Sequence, residues 1–87
     1  MIGRLRNIGK NSQEMLAAAG IDTEDQLRAK GSAAAFVAVR HAGFTPTLNL
    51  LWAIEGALTN RDWKEVAKSE RLSLLAQVET LEDEAQQ

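Results

Sequence analysis

The first ten residues of the chain combine positive charge with glycine, and this combination can bind phosphate groups. No acidic residue precedes Glu14. Gly9 would let a phosphate approach the main chain, and a helix starting beside it would offer free N–H groups and the positive end of its dipole. We therefore predict weak phosphate binding, and the candidate residues are Arg4, Arg6, Asn7, Ile8, Gly9 and Lys10.

The stretch Leu5–Leu27 resembles a helix-hairpin-helix element, whose hairpin reads glycine–apolar–glycine, then lysine or proline, and binds DNA phosphates. Ile8–Lys10 fits that order. Asn7 stands at the first glycine place, and asparagine tolerates left-handed backbone better than most residues. Only Met1–Leu5 is available for the helix that should precede the hairpin. The alternative is a tight turn that only packs helices together.

Little else in the sequence could support catalysis. The chain has no cysteine and one histidine, which argues against disulfides, thiol nucleophiles and histidine-rich metal sites. Glu55 is the one charge in the most apolar segment, and it could act as an acid, pair with an arginine or lie at a solvated rim. No nucleophile or second carboxylate lies at helical spacing from it. We predict no enzyme activity, cofactor, metal site or small-molecule substrate.

The aromatic side chains have structural explanations. Trp52 and Trp63 sit within apolar periodicity, so we predict core anchors rather than platforms for base stacking. Arg40 and His41 end a predicted helix, where positive charge complements the dipole.

The composition is that of a small globular domain. With 87 residues, 45% of them hydrophobic and one proline, we expect a single domain over residues 1–87. A net charge of −2 supplies no overall positive field and argues against a strongly basic nucleic-acid binder. No segment reads as a targeting signal or membrane span, so we expect a cytoplasmic protein without membrane contact.

Glycines and capping residues divide the chain into short helices. Gly20, Gly31 and Gly43 each follow a run of helix formers and can close a helix in the left-handed conformation. Thr23 and Gln26 have the spacing of a capping box. The other predicted start signals are Ser32, Thr45 ahead of Pro46, Asp62 with Glu65, and Ser69. The predicted helices span residues 10–19, 23–30, 32–42, 46–58, 62–68 and 69–84.

The helix predicted from Pro46 to Leu58 is apolar nearly all round, which places it in the middle of the bundle. No segment shows the alternation of a half-buried strand. Acidic residues near the end of the last helix oppose its dipole, so residues 82–87 are predicted to fray. The sequence therefore predicts an all-α fold, a compact bundle of five to six short helices.

Three blocks, in order, resemble the C-terminal domain of TfoX/Sxy proteins. They are LRNIG…AGI, NLLWAIEGAL and the downstream pair DW, and the likeness extends from about Leu5 to about Leu75. The resemblance implies a fold similar to SAM-like and helix-hairpin-helix domains. It also implies regulation of competence for DNA transformation, with no catalytic residues. Family members usually carry a separate N-terminal domain that this sequence does not include, so the regulatory activity need not belong to this half alone.

Two functions stay open from the sequence. In the first, the domain is a non-enzymatic competence-regulator module whose hairpin touches DNA phosphates without reading bases. In the second, it is a protein-interaction or homo-oligomerisation module that docks onto a transcription regulator or another copy, with no direct DNA contact. The local basic cluster and the family resemblance favour the first, whereas the net acidity favours the second.

Overall fold

This computed structural model describes residues 5–85, which form six helices joined by turns and loops, with no strand. The all-α prediction is confirmed, and every predicted helix has a counterpart. None of the described helices has the length and apolar character needed to cross a membrane. The helices are α1 (Lys10–Ala18), α2 (Glu24–Lys30), α3 (Ser32–His41), α4 (Leu48–Thr59), α5 (Trp63–Ser69) and α6 (Arg71–Ala85).

The local signals that end α1, α2 and α3 and begin α2 are confirmed. Gly20, Gly31 and Gly43 have φ angles of +84°, +85° and +102°. At the start of α2, the Gln26 N–H donates to Thr23 Oγ1 at 3.1 Å, and the Thr23 N–H donates to Gln26 Oε1 at 3.0 Å. This capping box satisfies two donors that the helix itself leaves free.

Helix α4 begins later than predicted. Its N-cap is Thr47, which has extended backbone and makes no side-chain capping bond, and Leu48 is the first helical residue. The predicted start at Thr45 and Pro46 is therefore wrong. A proline restricts the residue before it to extended conformations, and this fits an extended connection as well as it fits a cap.

The boundary between α5 and α6 also differs from the prediction. Ser69 ends α5, where its hydroxyl donates to the Glu65 carbonyl at 2.9 Å, and α6 begins at Arg71. Serine can make this backward bond inside a helix as readily as it can cap the next one. Asp62 does cap α5, by accepting from the Lys64 N–H at 3.1 Å and not through a box with Glu65.

The acidic end of α6 is helical up to Ala85, although the sequence predicts fraying over residues 82–87. Glu82 lies 3.7 Å from Arg40 Nη1 and 3.4 Å from His41 Nε2, at the end of α3. These contacts bring positive charge toward the negative end of the α6 dipole. Residues 86–87 of the predicted tail lie outside the described residues.

The core lies between α3 and α4. Helix α3 packs against α1, α2, α4 and α6, while α4 packs mainly against α3 and α5. Helix α4 is buried on most sides, as its apolar sequence predicts, but the bundle is centred on the pair and not on α4 alone. The largest fully buried side chains are Phe36, Leu16, Leu27, Leu51, Ile54, Val39 and Val66.

Among the glycines that the structure describes, Gly56 in α4 is the one where a Cβ would meet other atoms. The Arg61 N–H donates to the Gly56 carbonyl at 2.8 Å, and Asn60 between them has left-handed backbone with φ +55°. A Cβ atom on Gly56 would collide with the Arg61 carbonyl oxygen and lie 2.5 Å from Asn7 Nδ2. Only glycine allows the loop after α4 and the N-terminal turn to close on this helix.

We expect Gly56→Ala to lower the free energy of unfolding by about 2 kcal/mol, because the clash outweighs the roughly 1 kcal/mol that alanine gains in helix propensity. Gly9→Ala is the matched control, since a Cβ there meets no atom within 4 Å. It should cost less than about 1 kcal/mol. Urea unfolding of both variants measures the difference, and equal stability would contradict the close approach.

Candidate functional site

The predicted hairpin forms a tight turn ahead of α1. The Ile8 N–H donates to the Leu5 carbonyl at 3.2 Å, and Asn7 has the left-handed backbone expected at the first glycine place, with φ +70°. Ile8 is buried in the core. Arg4 lies outside the described residues.

Two hydrogen bonds fasten this turn to the loop between α4 and α5. Asn7 Nδ2 donates to the Arg61 carbonyl at 2.8 Å, and Arg6 Nη1 donates to the Asn60 carbonyl at 3.2 Å. Asn7 and Ile8 therefore have packing functions, as the alternative of a tight turn predicts. Arg6 is exposed and keeps further guanidinium donors for other partners.

Gly9 and Lys10 are exposed, as Arg6 is, and they lie where α1 begins. Gly9 is the N-cap of α1 with extended backbone, φ −87°, so it has no conformational need to be glycine. The first turn of α1 has no side-chain cap and no acidic residue. Lys10 and Asn11 are exposed, and no carboxylate in that turn neutralises the free N–H groups or the Lys10 charge.

Glu55 is held by two partners from elsewhere in the chain. Its Oε1 accepts from the Ser32 hydroxyl at 2.8 Å, and its Oε2 lies 3.8 Å from Arg61 Nη2. The predicted ion pair with an arginine is confirmed. Ser32 is not the predicted cap: Gly31 is the N-cap of α3, and Ser32 is its first residue, buried against this carboxylate.

Arg61 joins this carboxylate to a second one. Its Nη2 contacts Glu70, and its Nε donates to Thr59 Oγ1 at 2.9 Å. Sequence reasoning missed this residue, because nothing in the local pattern relates Arg61 to Asn7 or Glu55. The only available signal was an arginine directly after the end of the most apolar helix.

The two tryptophans differ in their surroundings. Trp52 is 3% exposed and is the core anchor that the sequence predicts. Trp63 is partly buried: it packs against the core and also lines an open groove of about 340 Å³ beside the N-terminal turn. The lining residues that the structure describes are uncharged. The polar ones are Asn7, Ser12, Thr47 and Asn49, and Met15, Leu50, Ala53 and Trp63 are the apolar ones.

We expect Arg61→Ala to lower the free energy of unfolding by about 2 kcal/mol, because it leaves two partly buried carboxylates without their cation. Arg28→Ala is the exposed control, since Arg28 pairs with Glu24 at 3.6 Å and donates to the Leu58 carbonyl at 3.3 Å, both at the surface. Exposed pairs contribute about 0–1 kcal/mol. Urea unfolding at neutral pH tests both, and equal losses would show that Arg61 is no more than a surface charge.

The family comparison covers the turn, the core and most of α6. The family model of the TfoX C-terminal domain matches residues 1–78 of the 87. Searches of the curated proteins and of the solved structures find no significant match. The likeness to SAM-like folds therefore stays a prediction. Because the match extends over most of the sequence, this chain belongs to the TfoX C-terminal domain family.

Proposed function

We propose that this competence-related regulatory domain binds the phosphate groups of DNA at the start of α1. The observation that carries the proposal is the free end of that helix, where the exposed Lys10 follows an uncapped Gly9. A phosphate there would accept main-chain N–H bonds and meet the positive end of the dipole. Such contacts position a protein on DNA without reading bases.

Charge distinguishes the start of α1 from the starts of α2 and α5, and the neighbouring Arg6 and Lys10 distinguish it from α3 and α4, which also begin without an acid. Helix α2 begins with Glu24 and Asp25, and α5 is capped by the carboxylate of Asp62. These acids would repel a phosphate, whereas Arg6 and Lys10 would attract one. The proposal assigns no catalytic function to the domain, and it places the domain in the cytoplasm with the DNA.

Fluorescence anisotropy of labelled duplex DNA tests this site. With two phosphate contacts, affinity should fall roughly tenfold between about 50 and 200 mM salt. Replacing Lys10 and Arg6 together by alanine should remove most of the binding, because both phosphate contacts are lost. The charge-matched control replaces Lys30 and Lys68, which lie in the last turns of α2 and α5. Equal affinity of the two double variants, or no binding at the lower salt, would contradict the proposal.

A second candidate function is self-association through α6. Leu72 is 83% exposed. Further along the helix, a shallow hollow is lined by Ala76, Gln77, Thr80 and Leu81. Two copies of α6 packed antiparallel would bring Leu72 of each copy to the hollow of the other. Opposite charges would then meet, since Arg71 begins the helix and Glu79 lies two turns later.

Leu72→Glu tests self-association, because it places a carboxylate in the apolar contact. We expect the unchanged chain to form a weak dimer by sedimentation equilibrium and Leu72→Glu to remain monomeric. Ala17→Glu, on the exposed part of α1, is the control and should still form the dimer. A chain that is monomeric at every concentration would contradict self-association. The exposed surface of α6 would then be a candidate contact for a different protein.

A further inference from the structure

We propose that the groove beside the N-terminal turn binds one unstacked nucleobase of a single DNA strand, whose phosphates contact the turn. The inference rests on the proposed function, since it specifies the form of DNA that the turn would hold. It assigns Trp63 to a stacking surface as well as to the core.

The size and apolar wall of the groove suit a planar ring. Its volume of about 340 Å³ is at the lower end of ligand pockets, which argues for one small group rather than an extended ligand. Met15, Leu50 and Trp63 supply apolar surface. Bases stack on aromatic side chains without regard to sequence, because every base has a π face.

The polar wall suits the edge of a base. Ser12, Thr47 and Asn49 contribute hydroxyl and amide groups, each able to donate and to accept a hydrogen bond. Thr47 and Asn49 are exposed, and the hydroxyl of Thr47 is not used to cap α4. Base edges present the same mixture of donors and acceptors.

Positive charge lies beside the groove and not among its lining residues. The Lys64 Nζ lies over the Trp63 ring, 5.7 Å from its centroid, and Asn7 of the N-terminal turn lines the groove directly after the exposed Arg6. A neutral lining disfavours a phosphate inside the groove, while these cations favour phosphates outside it. A base in the groove with its backbone along the turn and Lys64 satisfies both conditions. Bases of an intact duplex are stacked and paired, so the groove selects single strands.

Tryptophan fluorescence gives a direct test, because the chain has two tryptophans and Trp52 is 3% exposed. In Trp52→Phe, the emission comes from Trp63 alone. We expect a single-stranded thymidine oligonucleotide of about ten residues to quench that emission. An oligonucleotide of equal length with abasic sites should leave it unchanged. If Trp52→Phe does not fold, fluorescence anisotropy with the unchanged chain makes the same comparison. The strand with bases should then bind about 5- to 100-fold more tightly than the abasic strand.

Asn49→Ala should reduce the preference for the strand with bases, and the exposed polar control Ser73→Ala, in α6, should keep it. Equal affinity for the two strands, with the salt dependence intact, would overturn the groove proposal and leave the phosphate site standing. Absence of binding to every oligonucleotide at about 50 mM salt would overturn both. Quenching by the strand with bases and not by the abasic strand would establish the base-binding groove.

Discussion

The position of the N-terminal turn depends on one residue in the loop after α4. The main chain of Arg61 donates to Gly56 at 2.8 Å and accepts from the Asn7 amide at 2.8 Å, while its side chain contacts Glu55 and Glu70. The same residue therefore connects the turn, the central helix and the junction of α5 with α6. Because the Arg61 side chain is only partly exposed, we expect its ion pairs to be stronger than fully exposed surface pairs. Loss of this junction would leave the turn held only by Ile8 in the core and by the bond from Arg6 to the Asn60 carbonyl.

This junction shows how the described part of the hairpin is anchored. Residues 5–9 form a turn and not a helix. The loop after α4 supports this turn, through the Asn7 amide and the Arg6 guanidinium. Asparagine suits this place better than glycine, since it adopts the left-handed backbone and also supplies the amide that bonds to the loop. The likeness to a helix-hairpin-helix element is thus local in shape and different in its anchoring.

The ends of the helices could be predicted, because they depend on residues that are close in sequence. The long-range hydrogen bonds and the groove could not, because they depend on residues that are far apart in sequence. The capping box of Thr23 and the left-handed Gly31 follow from residues within one turn, so the helices were predictable. The bond between Ser32 and Glu55 joins residues 23 apart, and the bond between Asn7 and Arg61 joins residues 54 apart. No periodicity carries such information. The groove at Trp63 was missed for the same reason, because its walls come from four separate segments.

The distribution of charge decides whether a chain with a net charge of −2 can hold DNA. Several acids are already occupied: Glu55 and Glu70 by Arg61, and Glu82 by Arg40 and His41. A paired carboxylate contributes little field beyond a Debye length of about 8–10 Å. Arg6 bonds to an uncharged carbonyl, and Lys10 begins a helix whose first turn has no acid. A phosphate at this place would respond to the local field of Arg6 and Lys10 rather than to the net charge of the domain.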